Sequence, residues 1–281
     1  MSLSCLVISR NPDLLNALLG SLVTARTEWE VDDEVLCSWN GSLADLNAVV
    51  SPQKPPFKIA QHVSYHFASN INQLAQQAKG EHLALLNDDL VLDPYCLDHA
   101  LAILNNHKSV GIVGAQLRNP SGAFNHAGIL INQNGIPYNR LRPERLSQFI
   151  SPQHPAINRS GPIAAITGAL MVMRKSDFTN VRMRETFNTC CEDVALCLDF
   201  IDKLNLHPFY AAEVSAVHHE KATRGEQCEQ LDIENLKGIV SSLSDNGKSV
   251  LATLISRWSC EESDCIEAIV HELESKLQEK I

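Results

Sequence analysis

The 281-residue sequence contains no apolar run of the roughly 18 to 20 residues that a membrane-spanning helix requires, so a helical integral membrane protein is not expected. The opening MSLSCLVISRNPD lacks a basic flank ahead of its short apolar stretch, and no secretory signal is expected there. Low complexity and internal repeats are missing too. With 44% hydrophobic and 20% charged residues, and 13 Gly and 12 Pro, the composition is that of a globular chain rather than a disordered or fibrous one. The 9 cysteines form an odd set with no CxxC and no pairs at zinc-ribbon spacing. Cys5, Cys37 and Cys197 lie in apolar stretches, so reduced thiols in a cytoplasmic protein are the expectation. Basic residues are in deficit, 23 against 33 acidic ones, for a net charge of −10, which argues against a nucleic-acid binder held by phosphate neutralisation. Residues 226–281 alone hold 12 acidic against 5 basic side chains, a net −7.

What is present is an alternation of short apolar runs with helical periodicity. LSCLVIS reads as a buried strand that ends in the polar Ser9-Arg10-Asn11. A helix from Asp13 follows, with Leu14, Leu15, Leu18, Leu19 and Leu22 at helical spacing, and 35–39 reads as a second strand before the turn Asn40-Gly41-Ser42. The pattern repeats with an extended segment at 57–63, a helix at 69–79 stopped by Gly80, and a strand at 82–86. Such alternation predicts an α/β fold with a mostly parallel, doubly wound sheet. Further on, a helix is expected at 94–106, strands at 110–117, 169–173 and 208–217, and a hairpin around Asn134-Gly135. Glu192 and Asp193 open a helix carrying Val194, Leu198, Ile201 and Leu204 on one face. The Pro-rich stretch holding Arg140, Arg142, Arg145 and Arg159 reads as a basic loop, either solvated charge or a cover over a ligand. Residues 1–225 are expected to form the main domain and 226–281 an acidic helical tail. In the tail, Ile266, Ile269, Val270, Leu273 and Leu277 make an apolar stripe suited to packing on the body or on a second copy as a homodimer.

In doubly wound sheets ligands gather beyond the carboxyl ends of the strands, so the polar residues after each apolar run are the ones to weigh. Asn87-Asp88-Asp89 is the most acidic such end. Adjacent carboxylates repel unless a cation or a proton compensates, which makes Asp88 and Asp89 a candidate divalent-metal site or, equally, a solvated turn. His218 follows the last strand and converges on the same rim. An oxygen and imidazole set suits manganese somewhat better than magnesium, and such an ion is matched to a diphosphate. Arg224, in ATRG, either bonds the same phosphate oxygens or is a solvated loop cation. Glu192-Asp193 offers a second carboxylate pair for proton transfer. A helix N-terminus favours the carboxylate anion, so position alone suits Asp193 to a cap.

Taken in order, these blocks resemble a known family. SRN after the first strand, NGS after the second, SNINQLAQQAKG before LLNDD, then GIVGAQLRNPSGAFNHAGI, TGALMVMRKSDF, FNTCCEDVALCLDF and AVHHEKATRG are similar to the family-two inverting glycosyltransferases of GT-A fold, over roughly residues 3 to 225. The likeness is strongest to bacterial members that build surface polysaccharides. It implies that Asp89 is a metal ligand, with His218 completing the site, and that Asp88 and Asn87 lie near the donor ribose. Ser9, Arg10, Asn11, Trp39, Asn40 and Arg224 would meet the nucleotide-sugar donor. Thr167, Gly168 and Ala169 would line the acceptor side, Asp193 would be the general base, and Glu192 is the reserve candidate. The cofactor implied is a divalent cation, manganese or magnesium. The acceptor implied is a glycan or a lipid-linked molecule, reached by a cytoplasmic enzyme at the inner face of the membrane, where peripheral contact is open. Two positions depart from the family pattern: Trp39 stands where many relatives have an Asp before NGS, and Asn87 replaces the first acid of the metal motif. Trp39 suggests stacking or an unusual base contact.

Two other classes compete. A catalytically idle nucleotide-binding or scaffold protein of the same fold is motivated by Trp39 and the acidic tail, and predicts binding without turnover. A sugar nucleotidyltransferase also uses paired acids, but the chain lacks a Gly-rich phosphate loop after its first strand.

Overall fold

The computed structural model describes residues 1–141, 150–219 and 229–278. The first half runs β1 (Leu3–Ser9), α1 (Pro12–Ala25), β2 (Glu34–Trp39), β3 (Phe57–His62), α2 (Phe67–Gln77), β4 (His82–Asn87), β5 (Leu90–Leu92), α3 (Cys96–Asn106) and β6 (Val110–Arg118). After it come β7 (Phe124–His126), β8 (Ile129–Ile131), β9 (Pro137–Asn139), β10 (Gly161–Pro162), β11 (Leu170–Arg174), α4 (Lys175–Val181), α5 (Glu192–Leu204) and β12 (His207–His218). Two C-terminal helices, α6 (Glu229–Ser242) and α7 (Asp245–Gln278), complete the described chain.

Local chemistry accounts for the first unit. Asn11 caps α1, its side-chain oxygen accepting from Asp13 N and Leu14 N, and Pro12 takes the first helical position, where a missing N–H does no harm. Leu15, Leu18, Leu19 and Leu22 are buried on one face of α1, each contributing about 1.5–3 kcal/mol. All seven residues of β1 are buried, as expected for a strand covered on both faces.

The sheet order is β10-β12-β6-β11-β4-β1-β2-β3, with β5 on β12 and β7 on β6. β1 pairs parallel with both β2 and β4, β2 with β3, and β6 with β12. The segment expected at 169–173 is a strand, β11, but it runs antiparallel, wedged between β4 and β6. The chain therefore leaves β1 towards β2 and β3 on one side and returns to β4 on the other. That reversal opens a crevice at the carboxyl ends of β1 and β4. The expected hairpin is present as β8 and β9.

Two apolar layers sandwich the sheet. One is built on α1 and α3, the other on α2, α4 and α5. The second layer also takes in Leu236 and Ile239 of α6, Leu243 just after it, and Leu251, Trp258, Cys265 and Ile269 of α7, so the acidic tail shares the core of the body. Of the stripe expected there, Ile269 is buried and Val270 exposed. The side chains of Leu273 and Leu277 lie outside the described residues.

The basic-loop reading fails at Arg140. It is 1% exposed, donates from Nε to Ala127 O and from Nη2 to Ala156 O, and its guanidinium lies 4.3 Å from the centre of the Trp258 ring. Burial pulls its pKa down from the usual arginine value. Arg140 thus ties the body to α7 instead of meeting solvent or ligand. Arg159 is half exposed and pairs with Glu261 of α7 at 2.8 Å. Arg142 and Arg145 lie outside the described residues. No helix among the described residues is long and apolar enough to cross a membrane, and no disulfide joins the described cysteines.

Candidate active site

The crevice at the sheet reversal gathers the residues that follow β1, β2 and β4. Ser9 Oγ donates to Asp88 Oδ2 at 2.6 Å, and Asn40 N donates to Ser9 O at 2.7 Å. Asp88 also accepts the Arg10 backbone N–H. Burial raises its pKa to about 6, Ser9 opposing and the Asp89 charge adding to the rise. Asn40 Nδ2 donates to Val63 O, while its buried Oδ1 has no hydrogen-bond partner among the described residues. Asn11 sits at the same rim, but its side chain is occupied as the cap of α1.

Trp39 does not fit the expected base contact. It is 0% exposed, its indole N–H donates to Ser42 O, and its ring packs in the α1 layer of the core. Gly41 is what allows this. A Cβ there would stand 2.8 Å from the Trp39 ring and 2.7 Å from Arg10 O, closer than real contacts permit. With no solvent-facing atom, Trp39 offers no surface for a base to stack on.

Asp89 and His218 come together. His219 N donates to Asp89 O at 3.0 Å, and His218 pairs with Leu90 in the β12–β5 ladder, which fixes the end of β12 beside the turn after β4. His218 Nε2 lies 3.1 Å from Asp89 Oδ1, both side chains mostly buried. Yet Asp89 Oδ1 has no hydrogen-bond partner among the described residues. A buried, unmatched carboxylate oxygen beside an imidazole nitrogen fits a divalent cation. Adjacent ligands of an octahedral ion at about 2.1 Å stand roughly 3 Å apart. No group of three or more His, Cys, Asp or Glu is clustered for a metal among the described residues, so Asp89 and His218 would hold an ion together with further ligands beyond this pair. Arg224 lies outside the described residues.

The second carboxylate pair opens α5. Asp193 Oδ2 accepts from Gly168 N and Oδ1 from Val194 N, both at 2.8 Å. Gly168 admits this approach because it has no side chain. A Cβ on it would sit 3.2 Å from Asp193 Cβ. One residue on, Ala169 O accepts from Asn87 N at 2.9 Å, so Asp193 is joined to the metal-motif strand through two hydrogen bonds and the Gly168–Ala169 backbone. Glu192 is buried in the same first turn. Thr167 and Asp193 line a pocket of about 230 Å³ whose other walls include Tyr138, Asn139, Cys190 and Ile233. Its lining holds one carboxylate and, among the described residues, no Lys or Arg. Asn139 is held by His126, whose Nδ1 is 2.8 Å from Asn139 Oδ1 and whose Nε2 accepts from Thr167 N at 3.4 Å. Cys191, beside this pocket, hydrogen bonds to the Cys190 thiol, which with burial drives its pKa upward and keeps it protonated.

Sequence reasoning had no signal for Tyr138, Asn139, Cys190 or Ile233. They reach Asp193 from the β8–β9 hairpin, the segment before α5, and α6, contacts set only by the tertiary fold.

Comparisons with known proteins follow this geometry. The model of glycosyl transferase family 2 matches residues 4–178. The O-antigen biosynthesis protein RfbC of Myxococcus xanthus is 30% identical over 220 residues, 76% of this chain and 17% of that protein. The uncharacterized protein y4gI of Sinorhizobium fredii is 29% identical over 168 residues, 58% of this chain and 18% of that protein. The chain spans less than a fifth of the length of either relative. Among solved structures, GalNAc-T7 with UDP, GalNAc and Mn2+ superposes with a TM-score of 0.65 at 10% identity, covering 88% of this chain and 49% of that one. The mannosyltransferase PcManGT from Pyrobaculum calidifontis, in complex with GDP-Man and Mn2+, gives 0.52 at 12% identity over 98% of this chain and 87% of that one. At these identities the likeness is one of fold, the GT-A arrangement.

Proposed function

Because the chain belongs to glycosyl transferase family 2, we propose that it moves a sugar from a nucleotide-diphosphate donor onto an acceptor hydroxyl with inversion at the anomeric carbon, using a divalent cation at Asp89 and His218 and Asp193 as general base. The observation that carries this reading is the unmatched Asp89 Oδ1 beside His218 Nε2, on the same rim as a carboxylate fixed at a pocket wall. Two neighbours of the same fold were captured with Mn2+ and a nucleotide or nucleotide sugar.

The donor would enter the crevice bounded by Ser9, Asn40, Asn87 and Asp88. When bound, the cation held by Asp89 and His218 would supply positive charge against the negative charge building on the departing diphosphate. The acceptor hydroxyl would lie in the pocket lined by Thr167, Tyr138 and Asn139. A carboxylate has about four acceptor positions, so the two N–H bonds to Asp193 leave it capacity to take the hydroxyl proton. As that proton leaves, the hydroxyl oxygen bonds to the anomeric carbon on the face opposite the bond that breaks to the diphosphate. The two N–H bonds fix the carboxylate before the acceptor arrives, and such preorganisation lowers the barrier. The cap position itself falls to Cys191, which makes no side-chain cap bond, so Asp193 lies one residue inside α5, where its bond to Val194 N serves a free N–H of the first turn and its bond to Gly168 N aims the group across the site.

The hydroxyl and amide groups that Thr167, Tyr138 and Asn139 bring to the pocket lining suit a glycan hydroxyl as the reacting group. Together with the name of the Myxococcus relative, this points to surface-polysaccharide synthesis. The test is nucleotide release by the purified chain with Mn2+ across a panel of UDP-, GDP-, dTDP- and CMP-sugars and simple glycan acceptors. The expected result is release with one donor class, abolished by EDTA, and reduced about 10²–10⁴-fold in Asp193→Ala. Nucleotide binding without release by the wild type on every donor would reject the transferase reading in favour of an idle binding protein.

A further inference from the structure

We propose that Asp232, on α6, is a positioning residue for Asp193: it grips the backbone of residues 188–190 and thereby sets the first turn of α5. The inference rests on the reading of Asp193 given above. Asp232 is 0% exposed. Its carboxylate accepts three consecutive backbone N–H groups, from Asn188 at 3.2 Å to Oδ1 and 3.3 Å to Oδ2, from Thr189 at 2.8 Å, and from Cys190 at 3.1 Å. Cys191 follows with φ of 71°, in the left-handed region, and α5 begins at the next residue. Only that one strained residue separates the gripped backbone from the Glu192-Asp193 pair.

The contact does more than hold α6 down. Leu236 and Ile239 already bury an apolar face of α6 in the core. Burying a carboxylate is costly, several kcal/mol unless donors meet it, so an apolar side chain would be the cheaper way to gain adhesion. What the carboxylate adds is direction. Three N–H groups ahead of a helix have no place in a regular ladder and take their acceptors from elsewhere. Asp232 gathers all three onto one point and so fixes the path into α5.

The first turn of α5 is thereby clamped from two sides, by Asp232 through residues 188–190 and by Gly168 N through Asp193 itself. Cys190 and Ile233, the neighbours of this clamp, both line the pocket with Asp193. Asp232 also lies outside residues 4–178, the part matched by the family model. The acidic tail, in this view, furnishes part of the acceptor side of the site.

Two measurements test the proposal on the full chain. In the first, hydrogen exchange of the amides of residues 188–190 is followed in the wild type and in Asp232→Asn, which keeps the side-chain shape but removes the charge and replaces one of the two acceptor oxygens by an amide NH2. Protected amides in the wild type, exchanging at least about tenfold faster in the variant, are expected. In the second, kinetics are compared with Asp202→Asn, which weakens a tail contact elsewhere by turning the charged acceptor of Ser244 N and Oγ into a neutral amide. A displacement of order 1 Å at a reacting group lowers rates by about 10²-fold, so kcat should fall about 10–100-fold in Asp232→Asn with the donor KM within about twofold. Asp202→Asn should keep most of its kcat.

Equal losses of kcat in the two variants, or none in Asp232→Asn, would overturn the proposal. Unprotected amides in the wild type would overturn it as well, a result that stands even if Asp232→Asn does not fold. A wild type inactive on every donor would instead reject the transferase reading, and the exchange rates alone would then decide whether Asp232 holds this backbone.

Discussion

Ser9 Oγ donates to Asp88 Oδ2 across 2.6 Å, joining the ends of β1 and β4 at the point where the order of the sheet reverses. The bond places a carboxylate in a largely buried position with one hydroxyl and two backbone N–H groups, its own and that of Arg10, for company. Its pKa of about 6 means that the folded protein resists ionising Asp88 more than the unfolded chain does.

A stability prediction follows for metal-free protein. Below the ordinary value of 3.8 the group is protonated in both states and costs nothing. Between there and about pH 6 the unfolded chain gains stability by ionising first, and above pH 6 the full cost, at most about 3 kcal/mol, bears on the fold. Asp88→Asn cannot ionise. Chemical denaturation should therefore find the variant more stable than wild type at pH 8, with the advantage shrinking towards pH 4. An advantage independent of pH would show that the charge of Asp88 is not the source.

Metal linkage is a second measurement. If Asp89 and His218 share an ion, Mn2+ with a nucleoside diphosphate should raise the melting temperature of the wild type. A ligand at 100 times its Kd stabilises by about 2.7 kcal/mol. His218→Ala and Asp89→Asn should each lose most of that shift while Mn2+ alone leaves both unchanged. A full shift in either variant would remove that residue from the ion's ligands.

The third concerns the tail. Trp258 is 0% exposed, donates to Pro162 O at 2.6 Å and lies under the Arg140 guanidinium. Trp258→Ala should lower the unfolding free energy by about 3–5 kcal/mol. Ending the chain at residue 225 should abolish cooperative unfolding, because it strips Leu236, Leu251 and Trp258 from a core they share with α5. A truncated chain that melts sharply near the wild-type temperature would contradict the shared core.

Most strands and helices of the first hundred residues were legible because each signal is local: leucines at helical spacing, an apolar run ending in polar residues. The direction of β11 was not, since an apolar pentapeptide carries no mark of which neighbours it will join. Asp89 and His218 could be anticipated to meet because strand ends of a parallel sheet share one rim. Arg140 and Trp39 were misread for a common reason. Burial of Arg140 depends on Trp258, and that of Trp39 depends on a side chain being absent at Gly41, so composition around either residue gives the wrong neighbourhood. Asp232 left no trace in the sequence, being one acid in an acidic stretch, and only its three backbone donors set it apart.

The antiparallel course of β11 has a mechanical consequence. Asn87 leaves β4 at the same edge where Thr167, Gly168 and Ala169 arrive to begin β11, so one ladder of backbone bonds sets the spacing between the proposed donor and acceptor sides. Inserting a single residue in either strand would slide one half past the other by about 3.4 Å and turn the inserted strand's side chains to the opposite face. On the proposed roles, the alignment of leaving group and nucleophile would be set by the pairing of these two adjacent strands and not by the loops around them.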